Sequence, residues 1–195
     1  MKKILLAGVL GGVVNFAWGA FSHMVIHLGD TGVRGIPNQD AVLPPIKAGI
    51  RERGFYFFPW VQEPPNATKA QKEAVEKQWG DLMRAGPSGI LVVDPRGKEL
   101  MSPSQLLGEL ASNILGAAVA AHLLCKAAGG ISWFGGRVLF CALLGLFASL
   151  AIDVSYWNWY GFPTNYTAAA LVDQVAGWGL AGVAIGAIVR KPAAG

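Results

Sequence analysis

The chain has 195 residues, 53% of them hydrophobic and 14% charged, with a mean hydropathy of +0.41. Soluble globular domains carry about 25% charged residues, so this composition argues against a large soluble core and for lipid as the solvent. The formal net charge of +4 collects at the ends of apolar segments; it therefore reports topology and is not evidence for nucleic acid, and no nucleic-acid partner is expected.

Four apolar stretches, 4–28, 105–126, 135–156 and 167–189, have the ~20 residues that a bilayer crossing needs. The first opens with "MKK" like a secretory signal, but Trp18 stands badly for cleavage after Ala20, so the segment is expected to be retained as a helix. Lys2, Lys3, Lys126, Arg137, Arg190 and Lys191 flank these stretches on one side with no acid among them. By the positive-inside rule that side is cytoplasmic, with both termini on it. The ten remaining bases lie in residues 31–104 beside eight acids, a near-neutral segment expected to be periplasmic.

That segment is too patterned for a linker. "GFYFFPW" (54–60) and "GILVVDP" (89–95) read as short strands. Between them Thr68 and Gln71 form a capping box, Val75, Trp79 and Leu82 keep helical spacing, and Gly86 is a natural stop. Farther on, "YWNWYGFPTNY" (156–166) joins the third and fourth stretches and reads as an interfacial aromatic belt. The expected fold is an all-α membrane bundle of four transmembrane helices with a small α+β extracytoplasmic cap between helices 1 and 2. Its parts are the first helix at 1–28, the cap at 29–104 and a three-helix region at 105–195.

Enzyme signatures are absent: there is no Walker loop, dinucleotide fingerprint, CxxC or HExxH, and Ser88 in "AGPSGI" lacks the flanks of a nucleophile elbow. Cys125 and Cys141 form neither a disulfide framework nor a metal spacing. What chemistry there is sits in polar residues within the apolar stretches. His23 and His27 stand four apart, and stepping back gives Gly19, Phe16 and Gly12 on the same face. Glu109, Asn113 and Gly116 share a face of the second helix, Gly145, Ser149 and Asp153 of the third, and Asp173 and Gly177 of the fourth. Small residues mark where membrane helices touch, so these polar groups face inward. Counted from the outer boundary they fall in one layer, about 5–12 Å deep at ~1.5 Å per residue.

Three readings of that layer compete. The first is a hydrogen-bonded knot of His23, Asn113, Ser149, Asp153 and Asp173. The second is a divalent metal held by His23, His27, Glu109, Asp153 and Asp173, since imidazole and carboxylate suit zinc, iron or manganese. The third is a proton or solute path, though His122 is the only ionisable group deep in the inner halves. His23 and His122 lie at mismatched depths, which argues against a haem shared between them and leaves His122 alone as a ligand for a pigment metal. The knot is preferred, with His23 reaching Glu109, Asp153 or Asp173 directly or through one water.

"FAWGAFSHM", "GPSGILVVDP", "ELASNIL" and "YWNWYGFPTNY" resemble a group of small bacterial inner-membrane proteins of unassigned function. The resemblance implies a bacterial four-span protein with an outer cap and transfers no site residue. The leading functional expectation is a non-catalytic accessory subunit of a larger membrane complex, of an energy-transducing kind, in contact with lipid and with other membrane subunits. Besides Gly12, Gly19, Gly116 and Gly145, the face of Gly179, Gly182 and Gly186 has no obvious partner within the chain and is expected to contact a neighbouring helix closely, either within the bundle or from a partner. The alternative is a metal-dependent or proton-coupled small transporter or oxidoreductase using the outer layer.

Overall fold

The computed structural model describes residues 1–190; Lys191, one of the six flanking bases, lies outside the described residues. The chain divides into two compact units, one formed by residues 1–34 with the chain from Leu100 onward, the other by Gly35–Glu99.

The first unit is built from four helices, each long and apolar enough to cross a membrane: α1 (Lys2–Met24), α4 (Pro103–Ala127), α5 (Phe134–Tyr160) and α6 (Thr164–Ile188). Their boundaries follow local chemistry. Ser102 caps α4 in a capping box with Gln105, and Pro103 occupies the first turn, where its missing N–H costs nothing. The stretch 156–166, expected to be a connection, is mostly helix. Apolar and aromatic residues carry α5 to Tyr160, and the stop comes only at Gly161, whose φ of 72° suits glycine, with Pro163 two residues on. α1 instead stops four residues early. The β-branched pair Val25–Ile26 weakens the helix, and His27 adopts a left-handed conformation (φ 53°) that leads into a 3₁₀ turn at Leu28–Asp30.

α1 packs on α4 and α6, and α6 packs on α5, while α4 and α5 barely meet. The core holds small side chains: Ala7, Ala117, Ala121, Cys141 and Ala181 are fully buried, and Leu124 and Ile185 are the largest fully buried side chains among the described residues. Large apolar residues point outward, as Leu115 (68% exposed), Val119 (60%) and Phe147 (70%) illustrate.

Glycines set the spacing. A Cβ on Gly12 would stand 2.5 Å from the Cα of Ile114 in α4, and one on Gly182 would stand 2.7 Å from the Cβ of Cys141 in α5. Gly186 faces Arg137 and Gly145 faces the Gln174 carbonyl of α6, while Gly116 receives the Trp178 ring. The close contact expected of the Gly182 and Gly186 face is made inside the chain, by α5. One expectation needs correction. Gly19 has nothing within 4 Å of its Cβ position, because it borders a cavity rather than a helix.

Arg137 departs from its assignment as a flanking base. It is buried at 8% exposure, with Nε donating to the Gly186 carbonyl at 2.9 Å, Nη1 donating to the Ser132 carbonyl at 3.4 Å, and its guanidinium 5.7 Å from the centre of the Phe134 ring. Gly186 is in the last turn of α6, where carbonyls lack helical partners and the helix dipole is negative, so the cation is compensated without a carboxylate.

The second unit contains α2 (Gln39–Gly49), β1 (Gly54–Phe58), α3 (Lys69–Ala85) and β2 (Gly89–Val93). β1 and β2 pair antiparallel with Phe55 opposite Val92 and Phe57 opposite Ile90. α3 starts at the Thr68–Gln71 capping box. Trp79 joins it to the sheet: its indole N–H donates to the Pro59 carbonyl at 2.8 Å, and its ring meets Phe57 and Trp60 edge-on at 6.0 and 5.5 Å. Leu82, expected in that contact, is 41% exposed. Hydrogen bonds from Lys77 and Arg84 hold the Asp81 carboxyl below the usual range, as the Arg96 backbone N–H does for Asp94. α2 was not among the expected elements, and it holds Pro44 and Pro45 in its interior. They remove donors to the carbonyls of Asp40 and Ala41, which lie on exposed residues where water can replace them.

Candidate functional site

The polar residues of the four long helices gather at the end where α1 and α5 finish and α4 and α6 begin, here the His23 end. α1 presents Asn15, Trp18 and His23; α4 presents Glu109 and Asn113; α6 presents Asp173, Gln174 and Trp178. Asn15 donates through its amide to Asn113 Oδ1, and Asn113 Nδ2 donates to Glu109 Oε1 at 2.9 Å. This chain ties α1 to α4. Trp18 Nε1 donates to Asp173 Oδ1 at 2.8 Å, tying α1 to α6, and His23 Nε2 stands 3.8 Å from Asp173 Oδ2. That separation is too long for a direct hydrogen bond but sets the imidazole against the carboxylate. On α5, the buried Ser149 hydroxyl donates to Asp153 Oδ2 at 2.6 Å, a bond within one helix.

Two cavities open among these groups. The larger, about 550 Å³, lies between α1, α4 and α6. Glu109, Asp173 and His23 supply its ionisable groups, and Trp178 lines it beside Asn15 and Asn113. The smaller, about 200 Å³, has Asp153 and Tyr166 in its wall and shares His23, Asp173 and Gln174 with the first. His23 and Asp173 therefore stand between the two. The His23 ring leans against Gly29 of the 3₁₀ turn, where a Cβ would collide with it.

The candidate metal ligands are not gathered into one set. Among the described residues no three His, Cys, Asp or Glu side chains come together as a metal site. The causes are local. His27 has left the helix, so its pairing with His23 across one helical turn is not realised, and its Nδ1 meets Asp30 Oδ2 at 3.2 Å. Glu109 is engaged by Asn113, and Asp153 by Ser149. His122 is exposed on α4, far along the helix from Glu109.

Asn15, Trp18, Gln174 and Trp178 were not singled out in the sequence. Asn15 carried a usable signal: an amide in the middle of an apolar span needs a partner on another helix. It also carries the network deeper than the expected layer, nine residues before the end of α1, or about 14 Å along the axis. Trp18 and Trp178 gave no such signal, because a tryptophan in an apolar span reads equally well as a lipid-facing residue.

Compared with protein-family models, with curated proteins and with solved structures, the chain finds no match. The site must therefore be read from its own geometry. That geometry offers carboxylates, amides and one imidazole around open volume. No hydroxyl or thiol there is paired with a histidine as an activated nucleophile would be.

Proposed function

We propose that this chain is a non-catalytic accessory subunit of a larger assembly in a bacterial inner membrane. In this reading the four long helices cross the bilayer, both termini are cytoplasmic, and Gly35–Glu99 forms a cap on the periplasmic side. The membrane setting is supported by the inverted distribution of size. Helices that bury alanine and glycine and turn leucine, valine and phenylalanine outward have a sensible exterior only in lipid or against other apolar helices. The one-sided bases support the orientation.

The accessory role rests on His122. It is exposed within α4, five residues before the helix ends, on a stripe with Leu115, Val119 and Lys126. Residues at these spacings share one face. An ionisable side chain within a span normally turns to the protein interior or to a partner, and this one turns away from its own bundle. A helix of another subunit gives its ring a hydrogen-bonding partner that lipid tails lack. A photo-crosslinking residue placed at Val119, beside His122, should give a discrete adduct in native membranes. One at Phe147 on α5 should give none. Equal labelling from both positions, or adducts from neither, would remove the accessory reading.

A second reading, a proton-coupled or metal-dependent transporter or oxidoreductase, draws support from the large cavity with His23, Glu109 and Asp173 in its wall. The scatter of the other candidate ligands weighs against its metal-dependent form. Metal analysis of protein purified without chelator tests that form.

A further inference from the structure

We infer that the larger cavity at the His23 end binds an organic ammonium ion carrying an apolar stem. The inference stands on the cavity and does not require the accessory role. At about 550 Å³ its volume falls inside the range of about 300–1,000 Å³ typical of small-molecule sites. Its wall contains two carboxylates, Glu109 and Asp173, and neither lysine nor arginine; His23 is the only basic side chain in it.

The hydrogen bonds of the two acids make them receptive. Glu109 Oε1 accepts from the Asn113 amide and Asp173 Oδ1 from the Trp18 indole. Both donors are neutral, so they orient the carboxylates without adding positive charge. The second oxygens differ. Glu109 Oε2 meets no protein donor among the described residues, and Asp173 Oδ2 has only His23 at 3.8 Å. Two oriented carboxylates with open lone pairs favour a cation that donates hydrogen bonds.

The rest of the lining selects an organic cation over a bare metal ion. Trp18 and Trp178 stand in the wall with Phe16, Leu106 and Met24. Indole faces attract ammonium groups, and the aliphatic side chains suit a hydrocarbon stem. A metal ion would want three or more converging ligands, which the described residues do not assemble. An ammonium group needs only acceptors and an aromatic neighbour. Such a group reaches the site from either of two sources, the headgroup of an aminophospholipid or a free amine.

The test uses the full chain in a non-ionic detergent and hexylammonium chloride as probe, read by tryptophan fluorescence. Saturable quenching is expected at neutral pH, with hexanol and hexanoate giving none. Glu109→Gln and Asp173→Asn should each weaken binding about tenfold or more, the loss expected when one charge-assisted bond is removed. The Glu109 side chain is bonded only to Asn113 on its own helix, so Glu109→Gln remains informative even if Asp173→Asn fails to fold. Hexanol binding as tightly as hexylammonium, no saturable binding, or an unchanged Kd in a folded Glu109→Gln variant would each overturn the inference. Repeating the titration in nanodiscs distinguishes the source. A higher Kd in phosphatidylethanolamine than in phosphatidylglycerol identifies the lipid as competitor, and equal Kd values identify a free amine; both outcomes uphold the ammonium site.

Discussion

At the Arg137 end, α5 and α6 approach through Gly182 and Gly186, and the one buried charge rests on backbone carbonyls. At the His23 end, α1 is joined to α4 and to α6 by side-chain amides, an indole and carboxylates around open volume. Close packing leaves no room for rearrangement, because small changes in volume are felt at once. A polar network around a cavity costs close packing and leaves groups able to exchange partners. Stability is thus concentrated in the dry part of the unit, and chemistry in the wet part.

The largest test of that division is Gly12→Leu. The first carbon of the new side chain would meet the Cα and N of Ile114 at 2.5 and 2.6 Å, and backbone cannot turn aside as a side chain can. Overpacking of this kind costs up to about 3 kcal/mol or more. Thermal unfolding in detergent should show a severe drop or loss of the folded protein. A variant as stable as the parent would mean that α1 and α4 are not in contact there.

Arg137→Leu comes next. It removes the donors to the Gly186 and Ser132 carbonyls and the cation at the end of the α6 dipole. The expected loss is about 1–3 kcal/mol, read as a lower midpoint in the same melt. The comparison also predicts that this variant leaves hexylammonium binding unchanged, because the cavity is at the other end. Lost binding in a folded Arg137→Leu protein would show the two ends to be coupled.

Trp18→Phe should do the reverse. It deletes the indole donor to Asp173 and keeps an aromatic ring. Interhelical side-chain bonds in membranes average about 0.6 kcal/mol, so the midpoint should scarcely move. Ligand affinity should fall, since Asp173 loses the group that orients it. A stability loss as large as that of Arg137→Leu would make the network structural.

What was legible beforehand followed the range of the interactions. The Thr68–Gln71 capping box and the two strands rest on neighbours in sequence, and the structure has them. The tight glycines Gly12, Gly145 and Gly182 were visible because small residues recur at helical spacing. Their partners were not, since only the folded arrangement puts Cys141 of α5 opposite Gly182. Stepping back from His23 in threes and fours selected Gly19, Phe16 and Gly12 and passed over Asn15 and Trp18, the residues that bond to α4 and α6. A histidine near a fraying helix end was a poor origin for counting a face. α2 stayed hidden because solvent can satisfy what Pro44 and Pro45 leave open, a compensation that local propensity does not record.

The smallest expected effect is the sharpest test. Gly19→Leu places the same side chain on the same helix as Gly12→Leu, seven positions along. A Cβ at Gly19 has nothing within 4 Å, and the residue borders the large cavity. Replacing glycine inside a helix removes a penalty of about 1 kcal/mol, so the melting midpoint should hold or rise slightly. The leucine should also intrude on the volume assigned to the ammonium ligand, and hexylammonium binding should weaken while the fold persists. If Gly19→Leu destabilises the protein as severely as Gly12→Leu, the wet end is packed and the division between the two ends fails. If it preserves both stability and affinity, the division survives, and the ligand occupies a part of the cavity away from α1.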